Sequence, residues 1–77
     1  MAAVGGNFIV RRYIYRGVQY EVIPNDVTHV LVHELTTFVH SHAFYNHATI
    51  VEIICHDKVK KIEARAFCKC DSLRRVI

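Results

Sequence analysis

The 77-residue chain contains no apolar run that approaches the roughly 18–20 residues a membrane-spanning helix needs. Its three cysteines are an odd number, which fits poorly with a closed disulfide framework. The first residues lack the basic segment and the longer apolar core of a secretory signal. These absences predict a cytoplasmic protein with reduced thiols and no membrane partner.

Motifs that carry catalysis or cofactor binding are also missing. The chain has no Gly-rich phosphate loop, no nucleophile elbow and no pair of carboxylates at a useful spacing. Histidines and cysteines are present, but no C-x-x-C pair offers the spacing typical of zinc sites. We therefore expect a protein that is not an enzyme and that uses no cofactor and no metal.

The charge of the chain is mildly basic, with 10 Lys and Arg against 7 Asp and Glu and a net charge of +3. This balance does not by itself imply a nucleic-acid partner. The positive charge is concentrated in the last third of the chain, in a basic set that consists of Lys58, Lys60, Lys61, Arg65, Lys69, Arg74 and Arg75. We interpret this set as a solvated face, and a small basic nucleic-acid-binding module is the alternative.

A repeat with a period of 23 residues is the main feature of what the sequence does contain. Apolar positions coincide when the chain is shifted by this period, and the Ala-Phe pair and one histidine recur in the same register. The aligned sets are Val27, Ile50 and Leu73; Val30, Ile53 and Val76; Leu31, Ile54 and Ile77; Val39 and Ile62; Ala43-Phe44 and Ala66-Phe67; His33 and His56. A fixed period in this range is typical of stacked arrays, in which each unit buries its apolar side against the next.

The spacing within each unit predicts a short strand followed by a compact return. Val30 and Val32 lie two residues apart, so their side chains point to the same face of an extended segment. The later Ala-Phe pair suits a turn or a short helical turn. Residues 34–48 also admit a longer helix, which would give a small α+β domain, but the equivalent residues 57–71 fit a turn better.

The second unit resembles the leucine-rich repeat of the BspA type. The pattern V-x-x-I-x-x-x-A-F-x-x-C-x-x-L-x-x-V is carried by Val59, Ile62, Ala66, Phe67, Cys70, Leu73 and Val76. The first unit departs from it at Thr36 and His47, which stand where the second unit has Val59 and Cys70. The resemblance covers residues 27–77 and implies a leucine-rich-repeat solenoid, mostly β, that acts as a non-enzymatic scaffold for protein or ligand contact.

The residues before the repeat are expected to form an N-terminal cap. We predict a flexible N-terminus at 1–7 and a β-hairpin at 8–23, whose second strand alternates through Val18, Tyr20 and Val22. A turn around Pro24 completes this segment at residue 26. The repeats then occupy 27–49, 50–72 and a partial unit at 73–77, and the whole chain is one domain at most.

The expected functional feature is an apolar stripe on the strand-lined face. Leu31, Ile54 and Ile77 lie between inward positions, so they should point outward and stack about 4.8 Å apart, as adjacent strands do. His33 and His56 flank them. We predict that Leu31, His33, Ile54, His56 and Ile77 contact a protein partner or a second copy, and that the function is a protein–protein interaction scaffold.

Six apolar residues are predicted to carry the fold from inside, namely Val30, Val39, Phe44, Ile53, Ile62 and Phe67. The chain stops at Val76-Ile77, in the middle of a predicted strand. We therefore expect either a fragment of a longer array or an edge that another chain covers, because arrays generally need three or more units and open strand edges are prone to pairing.

Overall fold

The computed structural model describes residues 9–77, which form two parallel β-sheets. The predicted flexible segment 1–7 and the first residue of the predicted hairpin lie outside this range. The strands are β1 (Arg12–Tyr15), β2 (His29–Val32), β3 (Phe38–Val39), β4 (Glu52–Ile54), β5 (Lys61–Ile62) and β6 (Arg75–Val76). The fold is small and mostly strand, and residues 9–77 contain no helix. The described residues therefore include no helix that could cross a membrane.

The larger sheet has the order β1-β2-β4-β6, and the smaller sheet pairs β3 with β5. Val30 pairs with Ile53 and Ile53 with Val76, so the steps from β2 to β4 and from β4 to β6 each cover one period of the sequence repeat. Val39 pairs with Ile62 at the same spacing in the smaller sheet. The register that the apolar positions predict from sequence is therefore the register of the backbone ladder.

The return segments stack in the same register as the strands. Turns occupy 41–46 and 64–69, where we predicted a turn or a short helical turn. The Phe44 N–H donates to the Ala66 carbonyl oxygen and the Asn46 N–H to the Cys68 carbonyl oxygen, both at 2.9 Å. Each turn also holds two non-glycine residues at positive φ, His42 and Asn46 in the first and Arg65 and Lys69 in the second. Such backbone costs about 1–2 kcal/mol per residue, so the stacked hydrogen bonds must offset it.

The core lies between the two sheets and the turns. Strand side chains alternate, so Tyr15, Val30 and Ile53 point inward and are fully buried. The Phe44 ring is also fully buried, with its centroid 4.9 Å from that of Tyr15 and 5.7 Å from that of Phe67. Four of the six predicted core residues are thus buried: Val30, Val39, Phe44 and Ile53.

The other two predicted core residues, Ile62 and Phe67, are not fully buried. Ile62 is 42 % exposed and Phe67 is only half-buried, although their equivalents Val39 and Phe44 are enclosed. The prediction was wrong because burial in this fold comes from the following unit. Within residues 9–77, β5 is paired on one side only, so its inward side chains lack a covering layer.

The predicted N-terminal hairpin is wrong for the described part of that segment, from Ile9 to Ile23. β1 pairs in parallel with β2, with Tyr13 opposite Val30, at a spacing shorter than the repeat period. The stretch from Val18 to Ile23 forms no strand, and the alternating Val18, Tyr20 and Val22 are all exposed. The Glu21 carboxylate accepts from the Arg16 and Val18 N–H groups and from the Tyr13 hydroxyl, and these bonds close the segment into a loop.

Gly17 joins this loop to the first repeat unit. Its φ is +77°, and an added Cβ would lie 2.7 Å from the Thr36 Cγ2 atom. The Thr36 hydroxyl donates to the Arg16 carbonyl oxygen at 2.8 Å, which explains why a buried threonine stands where the second unit has Val59. The Tyr15 Oη accepts from the His40 N–H at 3.2 Å, and His40 Nε2 lies 2.8 Å from the Gly17 carbonyl oxygen.

Phe44→Ala should lower the free energy of unfolding by about 3–5 kcal/mol, because it empties a fully enclosed site that Tyr15 and Phe67 line. Phe67→Ala is the matched control, since it removes the same atoms from the equivalent, half-buried position. Its cost should be clearly smaller. Urea unfolding of both variants measures the difference, and equal costs would show that the burial gradient between the two units is wrong.

Candidate interaction face

A row of four apolar side chains crosses the outward face of the larger sheet. Ile14 pairs with Leu31, and Leu31 pairs with Ile54. Ile77 lies beside Ile54, because its N–H donates to the Ile53 carbonyl oxygen at 3.0 Å and its carbonyl oxygen accepts from the Cys55 N–H at 2.8 Å. We call these four residues the apolar row. Neighbouring members lie about 4.8 Å apart along the sheet.

The apolar row is open to solvent. Ile14 is 45 %, Leu31 49 % and Ile77 57 % exposed, and Ile54 is half-buried. The structure therefore places Leu31, Ile54 and Ile77 side by side and facing outward. Isolated exposed apolar residues are ordinary on protein surfaces, whereas an aligned, contiguous group is typical of contact sites.

Ile14 is the member that the sequence reasoning missed. It lies before the repeat, and the strand that carries it pairs at a spacing shorter than the repeat period. A signal was present, because Tyr13 and Tyr15 align with Val30 and Val32 at that shorter spacing. An alignment that allowed one shortened unit would have found it.

The two flanking histidines lie along one side of the apolar row, directly after β2 and β4. His56 Nε2 is 2.9 Å from the His33 carbonyl oxygen, and His56 Nδ1 accepts from the Lys58 N–H at 3.1 Å. With Nδ1 as the acceptor, Nε2 is the ring nitrogen that can donate to the His33 carbonyl oxygen. His33 Nδ1 accepts from the Leu35 N–H at 3.1 Å in the same way. Both rings hold the backbone beside the row, so their first role is to fix its shape.

Charged and polar residues border the apolar row on its other side. Arg12, His29, Glu52 and Arg75 form one rung across the four strands of the sheet. Arg75 Nε lies 3.3 Å from Glu52 Oε2. A row of apolar side chains between polar borders has the general layout of a protein interface, with an apolar centre and a polar rim.

The histidines and cysteines do not converge on a metal site in the described part of the chain. Residues 9–77 contain no group of three or more His, Cys, Asp or Glu side chains that could hold an ion. Burial raises the pKa of the Cys55 and Cys70 thiols, which keeps them protonated. The Cys70 thiol instead donates to the Phe44 carbonyl oxygen at 2.8 Å. A protonated, buried thiol is a poor nucleophile and a poor ligand.

His47 occupies the position that Cys70 holds one unit later. Its Nδ1 is buried and has no hydrogen-bond partner among residues 9–77. Burial lowers the pKa of His47, because the charged ring would lose its hydration. Its unpaired ring nitrogen makes this histidine a weak point of the first unit.

Members of the basic set lie in or next to β5, β6 and the turn at 64–69, except for Lys58, which lies in the turn after β4. All of its members are exposed. Two surface grooves, of about 280 and 410 Å³, lie elsewhere, the first lined in part by Tyr15 and His40 and the second by Arg11 and Thr49. No member of the apolar row lines either groove. The candidate site is therefore separate from these two grooves.

We compared the chain with models of protein families, with curated proteins and with solved structures, and none of the three comparisons finds a match.

The stability of the protein should fall as the pH drops below the ordinary histidine pKa of about 6.5, with His47 as one cause. Its folded-state pKa is lowered, so the unfolded chain binds the proton more readily and acid favours unfolding. His47→Leu removes the titrating ring and places an apolar side chain of similar size at the same position. Urea midpoints at about pH 8 and about pH 5 should differ less in the variant than in the wild type. Since the other histidines are common to both proteins, parallel pH curves would contradict the assignment.

Proposed function

We propose that the protein is a short solenoid of the leucine-rich-repeat kind and acts as a non-enzymatic scaffold for protein–protein interaction. The backbone register supports the solenoid, because strands and turns both stack at the period of the sequence repeat. One period earlier in the chain, the positions equivalent to Ile62, Phe67 and Val76 of the BspA-type pattern carry fully buried side chains, which supports stacking. Val39, Phe44 and Ile53 fill the interior, and the turn follows at the Ala-Phe pair.

The apolar row is the observation that carries the interaction function. Four aligned apolar side chains in contact with water are unfavourable in isolation, and a partner that covers them gains about 25 cal/mol for each Å² buried. The row runs perpendicular to the strands, so it extends over all four of them. A partner with a complementary apolar ridge, or a second copy of the chain, would fit this shape.

The face is also held rigidly, which favours binding. Leu31 and Ile54 belong to the two inner strands of the larger sheet, whose backbone groups bond on both sides. His33 and His56 fix the chain where it leaves those strands. A preorganised surface loses little conformational entropy on association. The free thiols of Cys55, Cys68 and Cys70 support the further proposal that the protein acts in the cytoplasm, where thiols stay reduced.

Ile54→Lys should leave the fold intact and abolish partner binding or self-association. Ile54 is half-buried at the surface, so the lysine stem can follow the sheet while the charge enters the centre of the apolar row. Val22→Lys is the matched control, because it adds the same charge at an exposed apolar residue outside the row. Light scattering over a range of concentrations measures self-association. Titration calorimetry with a purified partner protein measures partner binding.

Two results would contradict this proposal. If Ile54→Lys unfolds the protein, as a lost urea transition would show, Ile54 belongs to the core and the row is not a surface. If the variant binds its partners as tightly as Val22→Lys does, the row is not the contact site.

Nucleic-acid binding is the second candidate function, and the exposed basic set favours it. We expect this set to give only non-specific association, with dissociation constants of about 10⁻⁴–10⁻⁶ M that weaken steeply as salt rises. Fluorescence anisotropy with single-stranded and duplex oligonucleotides at two salt concentrations measures this. A much tighter and sequence-dependent affinity would make nucleic-acid recognition the better description.

A further inference from the structure

The smaller of the two surface grooves lies between the loop that Glu21 closes and the turn at 41–46. Its lining residues are Tyr15, Val18, Tyr20, Glu21 and residues 40–43. We call it the aromatic groove. Its volume of about 280 Å³ lies just below the roughly 300–1,000 Å³ of pockets that take drug-sized ligands. It therefore suits a group of the size of one side chain.

Aromatic rings supply half of this lining. They belong to four of the eight lining residues, namely Tyr15, Tyr20, His40 and His42. Within residues 9–77, the ring contacts that three of them make are all to rings outside the groove, at centroid distances of 4.8 to 5.3 Å. The groove rings therefore do not stack on one another. A cation over the face of a tyrosine ring is attracted by the quadrupole of that ring.

The charge of the aromatic groove is negative, although the chain as a whole is basic. With histidine neutral, Glu21 is the one charged residue among those that line it. The Glu63 carboxylate lies next to the lining, because its Oε1 accepts from the Ser41 N–H at 3.0 Å. Within residues 9–77, neither carboxylate forms a salt bridge. Burial raises the pKa of the Tyr15 hydroxyl, and the charges of Glu21 and Glu63 raise it further, so both carboxylates act on a group that lines the groove.

The Glu21 carboxylate is fixed in place without being neutralised. It accepts from the Arg16 and Val18 N–H groups and from the Tyr13 hydroxyl, and all three donors are uncharged groups. Two carboxylate oxygens offer about four acceptor positions. One position and the negative charge therefore stay available to a cation in the groove.

Tyr20 borders the aromatic groove in a backbone conformation that tyrosine rarely adopts. Its φ is +61°, and the residue is 89 % exposed. Glycine or asparagine reaches this region of φ more readily. Strained backbone of this kind is concentrated at ligand-binding sites. The strain therefore favours a role for the Tyr20 ring in contact with a ligand.

The aromatic lining belongs to the first unit and does not repeat. One unit later, the residues equivalent to His40, Ser41 and His42 are Glu63, Ala64 and Arg65. The positive φ of His42, +60°, does recur at Arg65, where it is +66°. The backbone at this place is thus a property of the repeat and accepts a cationic side chain, whereas the first unit carries a ring there.

We propose that the aromatic groove binds an organic ammonium group. The Tyr20 and His42 rings contact its carbon atoms, and the Glu21 carboxylate supplies the opposite charge. The ammonium group belongs either to a small free amine or to a lysine side chain of another protein. An inorganic cation is a poor occupant, because residues 9–77 contain no group of three or more His, Cys, Asp or Glu side chains that could hold one. The groove shares no residue with the apolar row, so the two proposals can fail independently.

The test is a titration of the ¹⁵N-labelled full chain with tetramethylammonium chloride, followed through the amide signals of Tyr20, Ser41 and His42. These signals should shift with a dissociation constant of about 1 mM, as expected for a ligand of a few atoms. tert-Butanol is a neutral molecule of similar shape and should bind about tenfold more weakly, because it lacks the charge. Sodium chloride at the same concentrations corrects for ionic strength.

Two blocked tripeptides separate the two sources of the ammonium group. Each has one central residue between glycines, which is trimethyllysine in the first and norleucine in the second. Tighter binding of the trimethyllysine peptide than of tetramethylammonium would identify a protein side chain as the ligand. Weaker binding would identify a free amine. The norleucine peptide should leave the three signals unchanged in both cases.

His42→Arg places a positive charge in the aromatic groove and copies the residue that the second unit has at this φ. It should weaken tetramethylammonium binding at least about tenfold, because like charges repel and one ring is lost. Asn46→Lys is the matched control. It copies Lys69 at the same φ and adds the same charge to the same turn, outside the lining of the groove.

Tyr20→Leu removes the exposed ring and should weaken binding about threefold, the factor that one exposed cation–π contact gives. Tyr20→Phe keeps the ring and should keep the affinity. Tyr45→Leu is the control for both, because Tyr45 is an exposed tyrosine that does not line the groove.

Equal binding of tetramethylammonium and tert-butanol would overturn the proposal, as would equal effects of sodium and tetramethylammonium chloride on the three signals. So would equal affinities of His42→Arg and Asn46→Lys. Ile54→Lys, which disrupts the apolar row, should bind tetramethylammonium as the wild type does, so this result separates the groove from the proposed function. If Tyr20→Leu loses its urea transition, His42→Arg and its control still decide.

Discussion

The parallel backbone ladder, which advances by one repeat period from β2 to β4 and from β4 to β6, is the constraint on which the rest of the structure depends. Because strands and turns share it, each side chain meets its own equivalent in the neighbouring unit. Phe44 therefore lies against Phe67, and Leu31 lies against Ile54. In such a repeat, equivalent side chains of adjacent units stack on one another. Apolar residues therefore align both inside the fold and on its surface.

The register could be predicted from the sequence because apolar residues recur at a fixed period of 23. Val30, Ile53 and Val76 are enough to define it. Burial could not be predicted as well, since it depends on what lies beyond a residue and not on the residue itself. Ile62 and Val39 have equivalent places in the pattern and differ only in whether a following unit covers them. The outward direction of Leu31 and Ile77 followed from strand alternation alone.

The hairpin prediction for the first segment relied on a local alternation of apolar residues and overlooked the pairing of β1 with the more distant β2. The alternation of Val18, Tyr20 and Val22 favours a hairpin strand, but Gly17 turns the chain toward Thr36, and Glu21 closes the loop with local hydrogen bonds. β1 then finds β2 at a shorter spacing. The departure of the first unit at Thr36 has its explanation here, because that hydroxyl satisfies a carbonyl that the loop presents.

The Tyr15 hydroxyl takes the place of a backbone acceptor beside the first strand of the smaller sheet. In the second unit the Glu63 N–H donates to the Val39 carbonyl oxygen, while in the first unit the equivalent His40 N–H donates to Tyr15 Oη. A phenol oxygen thus replaces a main-chain carbonyl that the shortened first segment does not supply. The ring of Tyr15 fills part of the interior, and its hydroxyl oxygen accepts the hydrogen bond at the edge of the smaller sheet. The edge of the smaller sheet therefore depends on Tyr15, because a residue without the phenol oxygen would leave the His40 N–H without this acceptor.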